Sequence, residues 1–148
     1  MAFIKRENMR LIGNILWFVF GGFELGVLWW VIGCICYLTI LGIPWGKACF
    51  VMGRFAFFPF GSEAINRRNL KGEGDIGTGV AGLLGNIIWF IFGGLWLALG
   101  HAFAALICCI TIIGIPFGLQ HFKLAKIALF PIGKTIVPKA VAKAAMIE

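Results

Sequence analysis

Six carboxylates and two histidines are the side chains of this sequence best suited to proton transfer or cation binding near neutral pH. Glu24 stands apart among them. From Leu11 to Gly46 it is the single ionisable carboxylate or amine. A carboxylate within an apolar run is costly to hold there and marks an ion or proton site by default. The competing reading puts it near the outer membrane surface, where water reaches it. His101 and His121 carry imidazoles, which change charge near neutral pH. They lie 20 positions apart with no third ligand in view, and His101 reads as an exposed turn residue. Asn14 and Asn86 are polar residues inside apolar runs, suited to line a conduit or to hydrogen-bond between helices. Glu24, Asn14, Asn86 and His101 are therefore the candidate conduit-lining residues.

Covalent chemistry finds less support. No GxSxG, Walker A or HExxH phrase occurs, and no pair of carboxylates shares an apolar run. No enzyme is expected. The five cysteines (Cys34, Cys36, Cys49, Cys108, Cys109) are odd in number and lack CxxC spacing. They read as small apolar packing residues rather than disulfides or a zinc site. Neither metal nor cofactor is expected.

The elements that must position these residues follow from composition. Apolar residues make up 61% of the 148 and charged residues 13%, against roughly a quarter charged in soluble domains. A soluble fold of this size cannot hide so much apolar surface, so the lipid bilayer is the expected partner. From Ile76 to Phe122, 47 residues carry no Asp, Glu, Lys or Arg. One crossing takes about 20. The net charge is +7. Its basic residues flank apolar runs, which suits membrane topology, and no nucleic-acid partner is expected. The N-terminal apolar run has no small-x-small cleavage site and reads as an uncleaved first span.

The chain is also written twice. At an offset of 72, Leu11–Gly61 lies over Leu83–Gly133 without a gap, with 23 identities in 51 positions. "GNILWFVFGG" matches "GNIIWFIFGG", "LTILGIPWG" matches "ITIIGIPFG", and "FPFG" matches "FPIG". Residues 1–61 thus form a first repeat with a basic N-terminal segment, 62–82 a polar linker, 83–133 a second repeat, and 134–148 a tail. Lys139 and Lys143 suggest a short helix in that tail.

Basic residues bracket both repeats, so each repeat is expected to cross the membrane an even number of times, with both termini and the linker cytoplasmic. The predicted fold is all-α. Each repeat is a short transmembrane hairpin turning at Leu28–Trp30 or Gly100–His101, with Trp29, Trp30 and Trp96 at the outer boundary. About four transmembrane helices result. One long helix per repeat, kinked at Gly21–Gly22 and Gly93–Gly94, is the alternative. Gly42 and Pro44, with Gly114 and Pro116, read as helix breaks: glycine ends a helix, and proline fits the first turn of the next. The restarted helix is read as amphipathic and interfacial. Gly22-x-x-x-Gly26 and Gly94-x-x-x-Ala98 allow close helix approach.

The doubled Gly-Ile-Pro and Asn-aromatic-Gly-Gly phrases resemble the YccF family of bacterial inner-membrane proteins, over nearly the whole chain from Met9 to Pro138. The resemblance implies a multi-pass protein of the bacterial inner membrane. It brings no reaction, ligand or site residue. The residues themselves point to a homo-oligomeric ion channel or small transporter. The alternative is a non-enzymatic accessory subunit of a larger membrane transport complex, with another membrane protein as partner.

Overall fold

The computed structural model describes residues 2–146, with side chains from residue 4. In the first repeat, α1 (Ala2–Trp17) runs through a π-helical turn (Phe18–Gly22) into α2 (Phe23–Tyr37). A 3-10 turn at Ile40–Gly42 reverses the chain into α3 (Ile43–Phe57). The strand β1 (Ser62–Asn66) and the short α4 (Arg67–Lys71) follow. The second repeat copies this order. It has α5 (Val80–Trp89), a π-helical turn (Phe90–Gly94), α6 (Leu95–Cys109), α7 (Ile115–Leu129), β2 (Lys134–Pro138) and α8 (Lys139–Ala144).

Both repeats do contain an antiparallel helical hairpin, but its turn is the Gly-Ile-Pro phrase. Leu28–Trp30 and Gly100–His101 lie inside unbroken α2 and α6, which corrects the expected turns. The physical reason is local. Neither place carries a proline or a Thr to hold the turn, whereas the Gly-Ile-Pro phrase, with the Thr before it, has everything a reversal needs. Thr39 is extended, and its Oγ1 accepts the Gly42 N–H at 3.1 Å while donating to the Cys36 carbonyl at 3.0 Å. Thr111 accepts the Gly114 N–H at 3.0 Å. Pro44 and Pro116 sit in the first turns of α3 and α7, where a missing N–H costs nothing. A Cβ on Gly42 would overlap the Cys36 carbonyl, and one on Gly114 the Cys108 carbonyl.

α3 and α7 are core helices rather than free amphipathic helices at a surface. Met52, Phe55 and Leu124 are fully buried. α3 packs along α2 on one side and touches β2 on another. The glycines expected to serve helix approach are used inside the repeat: a Cβ on Gly22 would overlap the Trp17 ring, one on Gly26 the Phe57 ring, and one on Gly94 would stand 2.9 Å from the Ala128 carbonyl.

The Asn and Trp of the first phrase tie each long helix to the end of its hairpin. Asn14 donates to the Phe60 carbonyl (3.0 Å) and accepts the Phe60 N–H (2.9 Å). Asn86 holds Ile132 in the same way at 3.1 and 3.0 Å. Trp17 donates to Ala56 O at 2.7 Å and Trp89 to Ala128 O at 2.8 Å, each occupying a carbonyl that the end of the helix leaves unpaired. Asn86→Ala should therefore orphan both polar groups of buried Ile132 and cost about 1–3 kcal/mol. Asn14 is only half-buried, so Asn14→Ala should lower the unfolding temperature in nanodiscs less. An unchanged melting temperature for Asn86→Ala would count against the clamp.

The strands, which the sequence reading did not anticipate, join the linker to the tail. β1 and β2 pair antiparallel, with Ala64 opposite Ile136. Those two residues are 72 apart, the repeat offset, so repeat-equivalent positions meet at the centre of the register. The Arg67 N–H bonds Gly133 O at 2.9 Å, and the Lys139 N–H bonds Gly61 O at 3.0 Å, which are again equivalent pairs. A pseudo-twofold axis therefore passes through this sheet. Basic side chains surround it. Lys123 Nζ reaches Ser62 O at 3.3 Å and Glu63 at 3.5 Å. In the linker, hydrogen bonds from the Arg67 guanidinium hold the Asp75 carboxyl well below the usual carboxylate range.

Two helices, Ile4–Tyr37 (34 residues) and Val80–Cys109 (30 residues), are long and apolar enough to cross a membrane. The hairpin tips are strongly apolar too. Leu38, Ile40, Leu41, Ile110, Ile112 and Ile113 are each more than four-fifths exposed.

Candidate functional site

The two repeats differ where a cavity opens. Gly21 has φ +152° and breaks the helical path between α1 and α2, a conformation that a side chain would strain. Its equivalent, Gly93, has no such backbone. Beside the Gly21 kink lies a cavity of about 410 Å³, open on one side and lined by Trp17, Glu24, Leu28, Cys108, Phe117 and His121 among others. Glu24 is in the first turn of α2, just after the π-helical turn. It is exposed. α3, running antiparallel to α2, brings Phe57 beside Gly26, so Glu24 sits near the base of the hairpin and not at its apex.

His121 enters from the first half of α7, and His101 faces it from α6. Their Nδ1 atoms are 3.2 Å apart. His101 is 6% exposed, which corrects its reading as an exposed turn residue: with α6 unbroken, position 101 falls mid-helix. The indole of Trp17 lies against His121 with ring centroids 4.8 Å apart. That ring is within the range at which it stabilises an imidazolium. Phe117, the aromatic residue of the second Gly-Ile-Pro-x-Gly phrase, stacks on Trp17 at 6.3 Å and an interplanar angle of 5°. The tip of the second hairpin thereby completes a wall begun by the first repeat. Trp45 crosses the other way, donating from Nε1 to Gly85 O at 3.1 Å.

Glu24 and His101 thus belong to one neighbourhood, together with His121, which was set aside for want of a third ligand. Asn14 and Asn86 lie elsewhere, with both amide ends bonded to backbone. Trp29, expected at an outer boundary, is buried and stacked on Trp89 at 6.1 Å. Gly42, Pro44, Gly114 and Pro116 form the hairpin turns. Gln120, expected with Lys123 and Lys126 on the polar face of an interfacial helix, is not at a surface. It is buried, donates to the Pro116 carbonyl at 3.2 Å, and its Oε1 has no partner among the described residues. Among the described residues no three His, Cys, Asp or Glu side chains converge as a metal site would require. The cavity offers proton-accepting and cation-attracting groups in otherwise apolar walls.

A family model described as an inner membrane component domain, YccF, matches residues 12–62 and again 84–134. The inner membrane protein YccF of Escherichia coli (strain K12) is 38% identical over 138 residues, covering 93% of this chain and 93% of that protein. The inner membrane protein YccF of Shigella flexneri matches equally, at 38% over 138 residues and the same coverage. No solved structure matches.

Proposed function

Because the chain belongs to the YccF family of inner-membrane components, we propose that it is a multi-pass protein that passes small cations, acting as a closed homo-oligomer and not by covalent catalysis. One observation carries this reading. Ionisable side chains scattered between positions 24 and 121 gather at one cavity in an apolar molecule. In the proposed arrangement the sheet and its basic surround face the cytoplasm, with both termini and the linker on that side. Each repeat crosses the bilayer with its long helix and returns to the same side.

The exposed carboxylate of Glu24 supports assembly. Facing acyl chains at mid-span, it would cost about 2.5–3.5 kcal/mol. Against a second copy it can border water instead, and a ring of such carboxylates prefers cations. Reconstituted in pure liposomes under a salt gradient, the unmodified protein should show a cation-selective reversal potential. Glu24→Gln should move that potential towards zero while the oligomer persists. A protein that carries no current by itself would leave the accessory-subunit reading in its place.

A further inference from the structure

We infer that His121, which lines the cavity, and His101 behind it form a proton-binding site in which a single proton is shared by the two imidazoles, with Glu24 lining the same cavity. The inference deepens the reading above by naming the cation class, but the binding itself does not require conduction.

The argument starts from the 3.2 Å between the two Nδ1 atoms. At that distance one nitrogen must donate and the other accept, whichever way the bridging hydrogen points. The neutral pair therefore already holds one N–H between the rings. A further proton adds to the outer nitrogen of the donating ring. No bond breaks, the bridge survives, and one positive charge is spread over the pair. A second added proton would have to occupy the accepting Nδ1 and turn the bridge into two facing N–H groups. The pair therefore takes up one proton, where two separate imidazoles take up two.

Several groups around the pair bear on that charge. His121 lines the cavity, so water can deliver the proton to it. The Trp17 ring lies tilted against His121 with centroids 4.8 Å apart, within cation–π range. Glu24 faces the same cavity from α2, and the thiol of Cys108 faces it from α6. On α7 the nearest charge is Lys123, which is drawn away to Ser62 and Glu63. The first repeat places Trp29 and Cys49 where the second has His101 and His121, so the site exists once per chain. The space between the imidazoles holds a hydrogen and nothing larger.

The test is nitrogen NMR on the full chain in nanodiscs, with ¹⁵N-labelled histidine, titrated from pH 8 to pH 5. The expected results are a coupling between the two Nδ1 nuclei across their shared hydrogen and uptake of one proton per chain by the pair. Glu24→Gln should shift that uptake to lower pH, since it removes a negative charge that favours the imidazolium. His101→Gln should abolish the coupling and let His121 titrate as a single imidazole. Uptake of two protons per chain, or no coupling in the unmodified protein, overturns the inference even if His101→Gln fails to fold. Currents carried equally by potassium and protons, with His101→Gln unchanged, would overturn the shared proton as the transported species and leave the conduit standing. One-proton uptake in a protein that passes no current would retain the site and remove the conduit.

Discussion

Gly114→Ala should prevent the second hairpin from closing, although alanine is the better helix former by about 0.8–1 kcal/mol. The added Cβ overlaps the Cys108 carbonyl and approaches Thr111 Oγ1. Those are the groups that build the turn, and backbone cannot step aside as a side-chain end can. Overpacking of this kind costs about 1–3 kcal/mol and at times more. The turn also sets where Phe117 meets Trp17, so the loss spreads to the contact between repeats. We expect Gly114→Ala to lower the membrane-fraction yield sharply and to reduce the unfolding temperature of whatever protein is recovered. Gly100→Ala is the control. A Cβ there meets nothing within 4 Å, in the middle of an unbroken helix, so it should leave stability unchanged or raise it. If the two variants behaved alike, the hairpin turn would be misassigned.

Trp17→Ala should be the most damaging packing change. The ring is 4% exposed and touches Phe60, Phe117 and His121. Truncating a buried aromatic costs about 3–5 kcal/mol, and here the Ala56 carbonyl also loses its donor. Trp17→Phe keeps most of the volume and gives up mainly the hydrogen bond, worth about 1 kcal/mol. Unfolding midpoints in nanodiscs should therefore fall in the order Trp17→Phe, then Trp17→Ala. Trp89→Ala removes the same bond from a half-buried ring and should cost less than Trp17→Ala. A Trp17→Ala protein as stable as the unmodified one would mean that the two repeats do not lean on this ring.

Much of this architecture can be read in the residues, and the failures have physical causes. The duplication is plain because Asn, Thr, Gly and Pro recur in phase, and each recurring residue proves to hold a backbone group or to make a turn. The hairpin turn is displaced from the middle of each apolar run because run length does not mark where the chain reverses, and an unbroken α6 tolerates Gly100. The histidine pairing was hidden by the same error. With the turn around Thr111, positions 101 and 121 stand ten residues to either side, level on the paired helices, where their imidazoles meet. The strands were missed because each has only five residues, one in a polar linker and one in the tail, and each finds its partner only in the other. Glu24 was visible from charge alone, while its neighbours depended on the kink at Gly21.

The pairing of β1 with β2 also has a consequence for how the protein is made. Translation delivers about 5–20 residues each second. The centre of β2 leaves the ribosome 72 residues after the centre of β1, so the first strand waits roughly 4–14 seconds for its only partner at that rate. In the proposed arrangement the first hairpin can already lie in the bilayer during that interval, while its strand stands at the membrane surface with an open edge. A neighbouring nascent chain presents the same edge, and exchange of strands between the two chains competes with closure within one. Slow synthesis or crowded insertion sites should thus favour interlocked pairs of chains, held together by the same five-residue ribbon that completes the monomer.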